Sequence, residues 1–214
     1  MKQLLGKSYI LKLIWIFVLG SVFGYFIETG YYYLKHGVFL NKQGLLYGPI
    51  KPIYGFGAII ITLLLSAVIN KSKLKVFIYG CFIGGAFEYI CSLVLEYMFN
   101  TKMWHYRSKY LSIGGRVYLI YLPFWGLAAL LWVYAVIPWF NKVFDKINLK
   151  VIKVLSIIVT AFLVFDFSIS IIAVQRMRSR QKGIPATNAY ERYLDKHYND
   201  KFIMKRLPYI RIVK

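Results

Sequence analysis

Five stretches of this chain are apolar over the length that a bilayer demands, and that succession excludes most folds. They fall near residues 9–33, 52–70, 74–99, 116–140 and 151–174. A helix needs about 20 residues to cross the hydrocarbon core, and backbone amides in lipid find partners only within helices or closed barrels. The expected fold is an all-α membrane protein of five transmembrane helices. The first run continues through Phe26 and Ile27 with no small-x-small cleavage site, so it reads as a retained span and not a signal peptide.

Composition agrees. Of 214 residues, 59% are hydrophobic and only 17% charged, against roughly 25% charged in soluble domains. The net charge of +20 does not indicate nucleic-acid binding, because the basic residues are dispersed among apolar spans and not gathered on one domain. With five spans, ten Lys and Arg fall on the N-terminal side and eighteen on the side of the C-terminal tail. The positive-inside rule then puts the tail in the cytoplasm.

Residues 1–174 form the helical membrane domain in this reading, and residues 175–214 a basic tail. Within the tail, Asn188 and Glu191 mark a helix start. Tyr190, Tyr193, Leu194, His197 and Tyr198 then follow at helical spacing, so the tail helix is amphipathic and lies against the bundle or the membrane surface.

Only eight acids are present, and four of them, Glu28, Glu88, Glu96 and Asp166, lie inside apolar spans. Each costs several kcal/mol to insert, so such residues face a partner or the bundle interior. All four lie in the tail-side half of their spans, and Arg116 opens the fourth span from that side. On the third span Glu88, Ser92 and Glu96 recur at i, i+4 and i+8, facing broadly one way. Arg116 or Arg107 is the expected neutralising partner, and four acids against so few bases leave room for a bound cation or protonated carboxyls.

The stretch GLLYGPIKPIYGFG, residues 44–57, enters the second span from the same side. Its glycines and prolines favour irregular backbone, which survives at membrane depth only where it is buried in protein or lines a cavity. A re-entrant or rim loop is expected. The predicted cavity is lined by Glu28, Tyr47, Pro49, Tyr54, Glu88, Tyr89, Ser92, Glu96, Arg116 and Asp166. Trp104, His105, Tyr106 and Arg107 form an interfacial loop beside it.

Several chemistries find no support. The three histidines are scattered at 36, 105 and 197, without zinc-ligand spacing. Gly6-Lys7-Ser8 lacks the earlier glycine of a phosphate-binding loop. Cys81 and Cys91 lie ten residues apart on one predicted helix, about 15 Å, too far for a disulfide. No cofactor, metal or nucleic acid is expected.

Several motifs in order along nearly the whole chain point to one family. They are GYFIE (24–28), GLLYGP (44–49), PIYG (52–55), EYICSLVLE (88–96), WHYR (104–107), Gly115-Arg116 and RQKGIPATN (180–188). In these the chain resembles the ABC-transporter type IV family of bacterial membrane proteins, the CmpB-like permeases. It departs where His105 replaces an acid, Arg107 a serine, and Lys51 a neutral residue. The resemblance implies a permease in the bacterial cell membrane, served by a separate ATPase subunit or by self-association. A small polar or cationic solute is the expected cargo. The alternatives are a membrane-embedded enzyme acting on lipid or envelope precursors, and an assembly or regulatory subunit whose tail recruits a partner.

Overall fold

The computed structural model describes residues 8–65, 72–99, 104–106 and 110–208. Among the described residues, four helical segments are long and apolar enough to cross a membrane. They are α1 (Tyr9–His36), α3 (Lys73–Phe99), the rod Leu119–Phe144 and α6 (Leu149–Gln181). Between the first two, α2 (Pro52–Leu65) is apolar but has only 14 residues. That length rises about 21 Å, short of the hydrocarbon thickness. Four long spans therefore stand where five were expected, and residues 66–70 of the expected second span lie outside the described residues.

The rod is a composite: a 3₁₀ turn (Leu119–Tyr121), α4 (Leu122–Leu131), a π turn (Trp132–Val136) and α5 (Ile137–Phe144). The reason lies in Pro138, which has no N–H to donate backward and whose ring crowds the preceding turn. A π turn absorbs both effects without breaking the rod. At its start Trp132 donates its indole N–H to Thr62 Oγ1 at 2.8 Å, tying the rod to α2.

Close backbone approach holds neighbouring helices together, as is general where apolar burial cannot drive association in lipid. A Cβ at Gly24 of α1 would lie 2.1 Å from the Tyr54 ring of α2, and one at Gly84 of α3 would lie 2.4 Å from Trp125 of the rod. At the N-terminal end, Lys12 is buried and donates to Asn141 Oδ1 at 2.8 Å and Asp145 Oδ1 at 2.9 Å. Large apolar side chains such as Phe26, Phe82, Leu127 and Ile157 remain exposed and form the lipid-facing surface.

The last span does not end near 174. Helix α6 continues to Gln181, and the tail forms two short helices, α7 (Ala189–His197) and α8 (Asp200–Arg206). Asn188 accepts from the Glu191 amide at 2.8 Å, as its position suggested, while the Glu191 carboxylate accepts from the amide of Thr187. Leu194, Tyr198, Ile203 and Leu207 pack on Ala173, Val174 and Met177 of α6 and on Leu46. Tyr190 and Tyr193 of the expected aromatic face stay about half exposed. Arg176 donates twice to Asp195 at 2.8 Å, and Arg180 reaches Asp195 at 2.5 Å and Asp200 at 2.6 Å. The Arg176 guanidinium, with Arg180 beside it, holds the Asp195 carboxyl down at about 2.

Candidate functional site

The site begins with the spacing on α3, where Glu88, Ser92 and Glu96 share a face. Opposite them the chain forms a small hairpin that the all-helical expectation lacked: β1 (Ser112–Ile113) antiparallel to β2 (Val117–Tyr118). Its tip is Gly114-Gly115 with φ of 58° and 69°, closed by the Arg116 amide donating to Ile113 O at 3.0 Å. Positive φ at both central residues suits glycine and matches the twist of a hairpin. Gly115 has a second reason to be glycine, since a Cβ would lie 2.3 Å from the His105 ring.

That turn organises the preceding segment. The Tyr106 amide donates to Gly115 O at 2.8 Å and the Trp104 indole to Arg116 O at 2.9 Å. Trp104 is thus a brace for the turn. Arg116 then reaches back to α3, donating to Ser92 Oγ at 3.0 Å and pairing with Glu96 Oε2 at 2.5 Å. Its guanidinium lies 6.0 Å from the Tyr89 ring centroid, within cation–π range. Arg107 lies outside the described residues.

Glu88 is held differently. Tyr106 donates its hydroxyl to Glu88 Oε1 at 2.8 Å, and Trp125 its indole N–H to Oε2 at 3.2 Å. The residue is only 9% exposed, and among the described residues it makes no ion pair. Nearby, Glu28 of α1 pairs with Lys51 and accepts from the Tyr54 hydroxyl at 3.2 Å. Tyr54 lies within electrostatic reach of both Glu28 and Glu88, so two carboxylate clusters flank one phenol.

Asp166 does not join them, contrary to the expectation of one four-acid cavity. Its Oδ1 accepts from the Tyr47 amide and the Ser170 hydroxyl, both at 3.1 Å, and Ser170 Oγ accepts in turn from the Leu46 amide at 2.9 Å. The glycine- and proline-rich loop is thereby fastened to α6. Leu45 and Ile50 bury against Phe17 and Leu163, Gln43 bonds the Leu45 and Leu46 carbonyls, and Pro49 is exposed. Tyr47 turns its hydroxyl to Tyr198 of the tail at 3.1 Å. The loop is packed into protein, with the Tyr47 hydroxyl directed to the tail and Pro49 at the surface.

Sequence reasoning missed Lys51, Trp125, Ser170, Arg176 and Arg180. The two tail arginines sit at i and i+4 on α6, a spacing that puts them on one face. Trp125 carried no such signal. Chemically, the Ser92 hydroxyl accepts from a guanidinium, and among the described residues no base bonds to it as an activated nucleophile requires. Among the described residues no group of three or more His, Cys, Asp or Glu could hold a metal.

Four long apolar helices among the described residues define a multi-pass integral membrane protein. Residues 15–171 match the family model described as Putative ABC-transporter type IV, and the chain belongs to that family. The match takes in Glu28, Glu88, Glu96, Arg116 and Asp166 and stops short of α7 and α8. No curated protein and no solved structure matches the chain.

Proposed function

We propose that the chain is a permease-like subunit of the bacterial cell membrane that binds a small polar or cationic solute at Glu88. The apolar run 52–70 is long enough in sequence for a fifth span, and five spans put the N-terminus and tail on opposite sides. The excess of Lys and Arg on the tail side then places α7 and α8 in the cytoplasm. A separate ATPase subunit docks on that face and supplies the energy.

The observation that carries this reading is the state of Glu88. Glu28 and Glu96 have cationic partners and Asp166 serves backbone. Glu88 is held by two neutral side-chain donors, which orient a carboxylate without cancelling its charge. A buried carboxylate calls for a counter-charge or a proton, and a cationic group of a solute fits it. Tyr54 and Glu28 add an acceptor-rich wall beside it.

Proteoliposomes containing the protein and any co-purifying ATPase test the reading with labelled amines and amino acids. Wild type accumulates at least one of them, and Glu88→Gln lowers that uptake tenfold or more. Full uptake by a folded Glu88→Gln variant sinks the assignment. Recovery of the protein without an ATPase, from membranes solubilised under mild conditions, would remove the energy source proposed here.

A further inference from the structure

On the tail-side turns of α1 the chain leaves a hollow that its own packing does not require. Tyr25, Phe26, Thr29, Gly30, Tyr33 and the returning Phe39 line an open surface depression of about 250 Å³. The chain reverses at Gly37, with φ of 67°, which brings Phe39 back beside the helix. A helix interior favours alanine over glycine, and a Cβ at Gly30 would meet nothing within 4 Å. Glycine there keeps the space open. Among the described residues no side chain fills it.

Two polar features accompany the hollow. Thr29 is 6% exposed and its Oγ1 is buried with no hydrogen-bond partner among the described residues, an uncommon state for a hydroxyl. In the loop that follows α1, Lys42 Nζ lies 4.6 Å from the Tyr32 ring centroid, and that ring packs on His36 at 4.4 Å. Helix α1 has 28 residues and rises about 42 Å, against roughly 30 Å of hydrocarbon. Its last turns therefore pass from acyl chains into headgroups, with the hollow on those turns and Lys42 in the loop that follows.

We infer that this hollow is a binding site for one phospholipid with an anionic headgroup. An acyl chain lies along Gly30 between the aromatic rings, the Thr29 hydroxyl donates to an ester or phosphate oxygen, and Lys42 with His36 faces the phosphate. Cations at that depth attract anionic lipid. The site is separate from the proposed solute site, because the Glu28 partners Lys51 and Tyr54 are not among its walls.

The test is native mass spectrometry of protein taken from mixed phosphatidylglycerol–phosphatidylcholine vesicles. Wild type retains one phosphatidylglycerol that Gly30→Leu loses at least tenfold, with thermal stability kept, and Gly30→Ala shows a smaller loss. Lys42→Ala combined with His36→Ala keeps a lipid but no longer prefers phosphatidylglycerol, and Thr29→Val weakens retention. Unchanged lipid occupancy in both Gly30 variants overturns the site. So does an undiminished headgroup preference after the double substitution, or a wild-type dimer that Gly30→Leu dissociates.

Discussion

Asp166 and Glu88 bring the same charge into the same kind of apolar helix, yet their surroundings assign them different work. Asp166 accepts from a backbone amide and from Ser170 one turn along its own helix. Those donors belong to the fold, and the loop 44–51 stays against α6 through them. Glu88 accepts from Tyr106 and Trp125, which arrive from the segment before the hairpin and from the rod. Side-chain donors of that kind orient a carboxylate while leaving the backbone indifferent to it. The comparison separates an acid that fastens a loop to the bundle from one held by side chains alone, although the sequence presents both as acids in hydrophobic spans.

The largest effect expected from breaking this comparison is at the structural end. Asp166→Ala strands the Tyr47 amide and the Ser170 hydroxyl in a buried place, at a cost of roughly 2–3 kcal/mol. Thermal unfolding in detergent should register that loss, and proteolysis should begin within residues 43–51. Wild-type stability in this variant would mean that the loop is held by its apolar contacts alone.

Next comes the turn that brings Arg116 and Tyr106 to α3. Gly115→Ala forces a side chain into left-handed backbone, costing about 1–2 kcal/mol, and drives its methyl into the His105 ring. The expected result is a loosened Tyr106–Glu88 contact, read as faster hydrogen exchange at residues 104–106 and 112–118 with the helices unaffected. An unchanged exchange pattern there would show that the hairpin does not govern Glu88.

The smallest effect sharpens the contrast with a third kind of acid, one on the folded tail. Asp195 is held down to about 2 by Arg176 and Arg180, below the usual value of about 3.9. A depressed carboxyl stabilises the folded state fully above its unfolded value, and that contribution is lost as pH falls through the folded one. Docking of α7 and α8 should hold from neutral pH to about 4 and then weaken toward 2. Amide protection at Leu194 and Ile203 measures it. A loss centred near pH 6 would point instead to a histidine.

Much of this was legible in the chain itself. Apolar runs of membrane length marked the four long spans, helical spacing put Glu88 and Glu96 on one face, and Asn188 marked the start of α7. The pairing of Arg116 with one of the intramembrane acids also followed from scarcity, since few bases lie near them. What was not legible depends on contacts across the fold. Trp125 meets Glu88 from 37 residues away, and nothing in its neighbourhood distinguishes it from an interfacial anchor. Asp166 looked like the other acids because hydropathy registers depth and not partners. Lys51, a departure from the family pattern, proved to be the neighbour of Glu28.

The most direct measurement compares Glu88→Gln with Asp166→Asn in lipid nanodiscs, recording thermal stability with and without the best-bound amine or amino acid. The account predicts that Glu88→Gln unfolds near wild type and gains no stability from the solute, while Asp166→Asn unfolds earlier yet still gains it. Equal destabilisation of both variants, or undiminished solute stabilisation of Glu88→Gln, would contradict it.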